Sequence, residues 1–179
     1  MPIYLHPTFA TDSMMDRYRG NYPDSTALAL SAFGWGWHSE TGLHILRLYA
    51  AGLFDRFPRL KIVIGHMGEL IPFQLERIIG MSGRAFGEKK RGLREVWEDS
   101  IWVTTSGMFS LTPLRCLLAS KGKKGLDKVL YSVDYPFSAN ETGKEFLEEV
   151  KKSGMFTKEE YDAFVGGNSE KLFKIKASG

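Results

Sequence analysis

The sequence predicts an α/β fold in which four parallel strands alternate with helices. Short apolar runs rich in β-branched residues recur along the chain, segments with helical periodicity separate them, and the runs end in glycine or polar residues. Strands that alternate with helices form parallel sheets, because a chain that returns to the same end of the sheet needs a crossover. A length of 179 residues suits one domain or part of a larger one.

The first strand is predicted within residues 1–7 and ends at His6, just before a proline. Residues 8–37 show little periodicity, so we expect a long functional loop there. Its aromatic residues, among them Trp35 and Trp37, either line a pocket for a flat ligand or pack the loop onto its own domain. A helix then opens near Ser39, and its leucines follow helical spacing to about residue 57.

The second strand, residues 60–64, leads into His66 and Glu69 and a second helix from residue 70 to 79. The polar segment after it should hold a surface helix around residues 93–97. A third strand and helix are predicted at 101–106 and 111–120, and a fourth strand at 129–133 ends in Asp134. Helices close the chain at residues 142–152, 158–164 and 169–173, and Thr157 with Glu160 forms a capping-box pattern.

Three of the four predicted strands finish in a side chain that can bind a metal ion or transfer a proton. These side chains are His6, His66 and Asp134, and parallel strands would bring them to one rim of the sheet. Imidazoles and carboxylates are ligands for Zn²⁺ and other divalent ions. A single histidine is more often structural than functional, so the prediction depends on the shared placement. His38 either lies beside the cap of the following helix or forms part of a pocket wall.

Composition excludes several classes of function. The chain has 24 basic and 21 acidic residues and a formal charge of +3, which does not indicate a nucleic-acid partner. The phosphate-binding glycine motifs of nucleotide-binding folds are absent from the sequence. One cysteine, Cys116, excludes an internal disulfide and fits a reducing compartment. No apolar run reaches the roughly 18 residues of a membrane span, so we expect no membrane association and a cytoplasmic location.

Five sequence motifs resemble the metal-dependent aromatic acid decarboxylases of the amidohydrolase superfamily, especially the 2,3-dihydroxybenzoate and salicylate branch. The motifs are YLHP at residues 4–7, WGWHSETGLHILRLYAAGLFDRFP at 35–58, IGHMGE at 64–69, TTSG at 104–107 and SVDYPF at 132–137. The resemblance implies non-oxidative loss of CO₂ from an ortho-hydroxy aromatic acid. It also implies one divalent metal ion, with zinc as the first choice and magnesium or manganese as alternatives.

The resemblance assigns roles to individual residues. His6 and Asp134 become metal ligands, and Asp134 also lies close to the substrate as a catalytic residue. His66 and Glu69 become the catalytic acid and base pair. The residues expected to contact the substrate are Trp35, Trp37, His38 and Phe137.

Members of this family are about twice as long and form a complete (β/α)₈ barrel of about 250 residues or more. This chain resembles the C-terminal four βα units, so we expect residues 1–179 to form a single half-barrel domain whose N-terminal partner half is absent. Such a chain should form a homo-oligomer or require the other half. Two alternatives remain: an inactive half-barrel that lacks the first-strand metal ligands, and a metal-dependent hydrolase of the same superfamily.

Overall fold

A computed structural model describes residues 1–175 of the chain. Its four strands form one parallel sheet in the order β1-β2-β3-β4, in which each strand pairs with the next one along the sequence. The strands are β1 (Ile3–Leu5), β2 (Ile62–Ile64), β3 (Ile101–Thr104) and β4 (Val129–Leu130). The predicted α/β fold with four successive βα units is therefore confirmed.

Helices connect and follow the strands. In residues 1–175 they are α1 (Asp12–Met15), α2 (Asp24–Ser31), α3 (Gly36–Ala50), α4 (Leu53–Arg56), α5 (Ile71–Ala85), α6 (Leu93–Asp99), α7 (Leu111–Lys121), α8 (Asn140–Lys152), α9 (Lys158–Asp162) and α10 (Asn168–Phe173). A 3₁₀ segment, Lys123–Lys128, precedes β4, and a π-helical turn, Ala163–Gly167, joins α9 to α10. The capping box predicted for Thr157 and Glu160 is confirmed at the start of α9.

The prediction for residues 8–37 was wrong in part, because α1, α2 and the start of α3 lie in this segment. Helix α2 buries the small residues Ala27 and Ser31, so it leaves no strong apolar periodicity to detect. Helix α6 was predicted on the surface, yet it buries Leu93, Val96 and Trp97. Strand β4 is shorter than predicted, because the Tyr131 amide donates to the Phe164 carbonyl rather than to another strand.

The two faces of the sheet have different surroundings. Ile62, Ile64 and Val103 belong to the large core that the sheet shares with the surrounding helices. The alternate residues Val63, Trp102 and Leu130 point to the opposite face and form a small cluster with Leu172 of α10. Side chains alternate between faces along a strand, so one sheet has buried apolar residues on both sides. Each large apolar side chain buried in this way stabilises the fold by about 1.5–3 kcal/mol.

Strand β1 forms one edge of the sheet. Within residues 1–175 it pairs with β2 on one side and with no strand on the other. Ile3 and Tyr4 on this strand are 50% and 51% exposed, in contrast to the fully buried β2. An exposed apolar edge strand is a site where another chain segment can pair. Among the described residues, no helix combines the length and apolar character needed to cross a bilayer.

Candidate active site

The carboxyl ends of the strands open into one cavity of about 450 Å³. His6 follows β1, His66 follows β2, Ser106 follows β3 and Asp134 follows β4, and all four side chains line this cavity. The structure therefore brings together the three strand-end residues that the sequence singled out. The other lining residues are Phe33, Trp37, His38, Gly107, Met108, Phe137 and Ser138.

The backbone after β2 makes a left-handed turn. His66, Met67, Gly68, Glu69 and Leu70 have φ values of 46°, 56°, 96°, 55° and 65°. A left-handed conformation costs roughly 1–2 kcal/mol for each residue other than glycine, so the surrounding packing must hold this turn in place. Met67 and Gly68 are buried within it. Ser106 and Asp134 also have positive φ values, so strained backbone is concentrated around the cavity.

Glu69 lies beneath the cavity wall with only 1% of its surface exposed. Its Oε1 atom accepts a hydrogen bond from His66 Nδ1 at 2.7 Å, and its Oε2 atom accepts one from His38 Nδ1 at 2.8 Å. Burial alone would raise the pKa of Glu69, but the hydrogen bonds and charges of His38 and His66 lower it below its ordinary value. Glu69 is therefore ionised at neutral pH.

The hydrogen bond to Glu69 fixes the orientation of the His66 ring. Because a carboxylate can only accept, the proton of this bond sits on His66 Nδ1, which leaves Nε2 for chemistry in the cavity. His66 Nε2 lies 3.9 Å from Asp134 Oδ2. The arrangement therefore combines the His66 imidazole, the buried Glu69 carboxylate that orients its ring, and the Asp134 carboxylate, which faces the same cavity.

Of the four residues expected to contact the substrate, three border the cavity and one does not. Trp37 lies in the cavity wall, with its ring centroid 6.3 Å from that of His6. Phe137 borders the cavity and is 77% exposed. His38 borders the cavity too, but both of its ring nitrogens are engaged, by Glu69 and by the Phe33 carbonyl oxygen at 3.0 Å. It therefore has no free ring nitrogen to offer a substrate.

Trp35 is the exception among the predicted substrate contacts. It is 54% exposed and does not belong to the cavity lining. It directly precedes Gly36, where α3 begins, whereas Trp37 lies in the first turn of that helix. The sequence motif could not distinguish these two tryptophans, because their directions depend on where the helix starts.

Sequence reasoning placed the hydroxyls of Thr104, Thr105 and Ser106 at the same rim but missed the hydrogen bonds that join them to other segments. Tyr4 contacts Thr104 at 3.0 Å and Ser106 at 3.2 Å, and Ser106 contacts Ser132 at 2.9 Å. These bonds connect β1, the end of β3 and the segment after β4. The polar end of β3 was the available signal, but the partners on the other strands could only be found from the structure.

Comparison with known protein families identifies the family of this chain. The sequence profile described as amidohydrolase matches residues 1–175. The chain belongs to the amidohydrolase family. This confirms the resemblance to this superfamily, and the four βα units correspond to half of its (β/α)₈ barrel.

Three relatives of this amidohydrolase chain indicate the chemistry found in similar proteins. Decarboxylase orsB of Emericella nidulans is 48% identical over 98% of this chain and 53% of its own length. The γ-resorcylate decarboxylase of Polaromonas sp. is 31% identical over 98% of this chain and 51% of its own length. A crystal structure of a dihydroxybenzoic acid decarboxylase from Polaromonas sp., with bound manganese and 2-nitroresorcinol, has 30% identity and a TM-score of 0.79 over 97% of this chain and 49% of that one. The chain thus spans about half the length of these relatives.

His6 and Asp134 suit a divalent metal ion. His6 Nδ1 contacts the Pro7 carbonyl oxygen at 2.7 Å, which places the ring proton on Nδ1 and leaves the Nε2 lone pair for a metal. Asp134 adds a carboxylate to the same cavity. An imidazole and a carboxylate fit zinc, manganese and related ions, which generally take at least four ligands. These two residues would therefore supply only part of the ligand set of such an ion.

A second set of possible ligands lies nearby. The ligand atoms of His38, His66 and Glu69 lie within 4.8 Å of one another. However, both imidazoles donate to Glu69 over 2.7 and 2.8 Å, which are hydrogen-bond lengths with a proton between the two atoms. A metal ion would have to displace these protons, so the geometry favours a hydrogen-bonded triad at this position.

Proposed function

We propose that this chain provides the catalytic half of a carboxy-lyase that removes CO₂, without oxidation, from an ortho-hydroxy aromatic carboxylic acid. The proposal rests on one observation: His66, whose ring is oriented by Glu69, lines the same cavity as His6 and Asp134. The decarboxylase names of similar proteins support this reaction class. A metal-dependent hydrolase would use the same side chains, so the assay must distinguish the two reactions.

In the proposed reaction, His66 and Asp134 lie next to the ring carbon that carries the carboxylate. His66 holds a proton at Nε2, and Glu69 keeps the ring in the orientation that presents this nitrogen to the cavity. The proton is added to that ring carbon, the bond to the carboxylate breaks, and its electron pair restores the aromatic ring as CO₂ leaves. Proton transfer by a positioned side chain of this kind contributes typically about 10²–10⁴-fold to a rate.

We place the divalent ion of this reaction at His6 and Asp134. When bound, a divalent ion supplies positive charge that attracts the carboxylate and the adjacent hydroxyl of the substrate. Zinc, magnesium and manganese remain candidates, and the manganese in a solved relative supports testing manganese first. The cavity of about 450 Å³ has room for a one-ring acid, and the rings of Phe33 and Trp37 offer apolar walls.

The choice of substrate is a narrower proposal. The motif around His38 favours 2,3-dihydroxybenzoate or salicylate, whereas two similar proteins carry names that specify γ-resorcylate or dihydroxybenzoic acid. Salicylate, 2,3-dihydroxybenzoate and γ-resorcylate all have a hydroxyl group beside the carboxylate, and this shared chemistry defines the proposed substrate class. Trp37 and Phe137, which border the cavity, are the residues we propose to contact the ring.

We further propose that residues 1–179 act as one half-barrel domain that needs a second half, either another copy or a partner segment. The half-exposed Ile3 and Tyr4 on the edge strand β1 support this proposal, as does the roughly double length of the relatives. Size-exclusion chromatography tests association between copies, and a compact monomer would contradict it. A cytoplasmic location remains a prediction.

The test of function is a CO₂-release assay combined with metal analysis of the purified chain. Salicylate, 2,3-dihydroxybenzoate and γ-resorcylate should each be offered with Mn²⁺, Zn²⁺ or Mg²⁺. Benzoate is the matched control, because it lacks the ortho hydroxyl. Metal-dependent CO₂ release from the hydroxy acids alone supports the proposal. Bound metal with no turnover would favour the inactive half-barrel. Hydrolysis of an amide or ester instead would favour the metal-dependent hydrolase.

A further inference from the structure

We propose that His38 is a positioning residue, held as an imidazolium between Glu69 and the Phe33 carbonyl, which fixes Glu69 in the orientation that directs the His66 ring. The catalytic consequence rests on the proposed function, whereas the charge state of His38 does not. Nothing in the sequence motif suggested this role, because His38 and Glu69 are 31 positions apart.

The protonation of His38 follows from the chemistry of its two partners. The Phe33 carbonyl oxygen, 3.0 Å from His38 Nε2, can only accept a hydrogen bond. An ionised Glu69, with Oε2 at 2.8 Å from His38 Nδ1, can also only accept. Both ring nitrogens must therefore carry protons, and an imidazole with two N–H groups is positively charged. Only 13% of the side chain is exposed, so water competes little for these bonds.

Charge balance points to the same assignment. A carboxylate that is almost fully buried needs a nearby positive charge, because removing a lone charge from water is costly. His66 also contacts Glu69, but its second nitrogen faces Asp134 and the cavity rather than a fixed carbonyl. His38 is thus the partner that can stay protonated while His66 exchanges its proton. Hydrogen bonding to Glu69 raises the pKa of His38, although burial opposes this shift.

The positioning role follows from where the three residues sit. Glu69 uses one carboxylate oxygen for each histidine, so the bond to His38 prevents the carboxylate from rotating away from His66. His38 is itself fixed by α3 and by the Phe33 carbonyl. Helix α3 therefore fixes the orientation of the His66 ring indirectly, because His38 holds Glu69 and Glu69 holds His66. The titratable groups that contact His38 in the described part of the chain are Glu69 and His66.

The test combines nitrogen NMR with kinetics of His38→Gln. The matched control is His44→Gln, an exposed histidine on the same helix. In the purified wild-type chain at pH 6.5, the ordinary pKa of histidine, ¹⁵N shifts should show both His38 nitrogens protonated. A His38 with one unprotonated nitrogen would overturn the inference, whether or not the chain releases CO₂ and whether or not the variant folds.

The kinetic part distinguishes positioning from substrate binding. For His38→Gln we expect kcat to fall about 10- to 100-fold, the range for outer partners that orient a functional histidine. KM should stay within about twofold, because His38 has no free nitrogen for the substrate. His44→Gln should leave both constants unchanged. A raised KM with unchanged kcat would show that His38 binds substrate and would contradict the proposal.

Discussion

Gly42 of helix α3 packs directly against the backbone carbonyl of Glu69. A Cβ atom built on Gly42 would lie 2.5 Å from the Glu69 carbonyl oxygen, which is closer than real Cβ atoms come. The helix that carries His38 is therefore seated on the turn that carries Glu69. This close approach explains why a glycine occupies the middle of α3, where it otherwise weakens a helix.

Gly42→Ala should destabilise the protein by about 1–3 kcal/mol, because the added methyl group must push α3 away from the Glu69 turn. The same movement should lengthen the hydrogen bond between His38 and Glu69. Chemical denaturation measures the free energy of unfolding. Gly80→Ala in α5 is the control, since no described neighbour lies within 4 Å of its Cβ position, and it should stabilise by about 0.5–1 kcal/mol. Equal effects of the two substitutions would contradict the packing seen at Gly42.

The His38–Glu69 pair should stabilise the fold within a limited pH window. The pKa of His38 is raised above 6.5, so its contribution is complete below pH 6.5 and is lost as pH rises through the raised pKa. The pKa of Glu69 is lowered below 4.5, so its contribution is complete above pH 4.5 and is lost as pH falls through the lowered pKa. The difference in unfolding free energy between wild type and His38→Gln should therefore be largest from pH 4.5 to 6.5.

Denaturation curves from pH 3 to 9 would measure this window. His44→Gln is the matched control, because His44 is exposed on the surface of the same helix. A difference between wild type and His38→Gln that stays constant across the whole range would mean that the pair is not ionised in the folded protein.

Sequence patterns predicted the parts of this structure that depend on local order. Strand β2 and its following His66 were found because a β-branched run, a glycine and a new helix are adjacent in the chain. Parallel topology then predicted that His6, His66 and Asp134 meet at one rim, and they line one cavity. The family resemblance added roles for these residues, which the proposed experiments must test.

Contacts between distant segments could not be predicted in the same way. The His38–Glu69 bond depends on how α3 packs against the turn after β2, and neither segment alone encodes that packing. Trp97 lies in a segment rich in charged residues and was assigned to the surface, yet it is 1% exposed. It packs in the large core, and its indole nitrogen donates a hydrogen bond to Ser120 on α7, a segment distant in sequence.

Lys121, the last residue of α7, should make stability increase with pH. Its Nζ atom is buried and donates to the carbonyl oxygens of Trp97 and Ile101, the latter at 2.6 Å. Burial, together with Lys128, lowers the pKa of Lys121 well below 10.5, so between the lowered pKa and 10.5 the unfolded chain binds more protons than the folded protein. Stability should then rise with pH by up to about 1.4 kcal/mol per unit until the pH nears 10.5.

Lys121→Met should abolish this rise in the free energy of unfolding as the pH increases towards 10.5. The exposed Lys152, at the end of α8, offers the matched control Lys152→Met, which should retain the wild-type slope. If Lys121→Met and wild type show parallel curves, Lys121 must be charged inside the folded protein.

His66→Asn should reduce CO₂ release by at least about 100-fold while leaving the fold intact, because asparagine cannot exchange a proton at neutral pH. Circular dichroism and unfolding curves would confirm that the variant folds. His44→Asn is the control and should keep wild-type activity, since His44 is not among the residues that line the cavity. Activity that survives in His66→Asn would show that another group transfers the proton.

Metal binding should depend on His6 and not on Glu69. After dialysis against Mn²⁺ and removal of free ions, elemental analysis should show less bound metal in His6→Ala than in wild type, because the substitution removes the free Nε2 donor from the cavity. Glu69→Gln should keep its metal if the His38–Glu69–His66 triad is held by hydrogen bonds. The reverse pattern, with metal lost from Glu69→Gln and kept in His6→Ala, would place the ion in the triad. It would also remove the basis for treating Glu69 as the residue that orients His66.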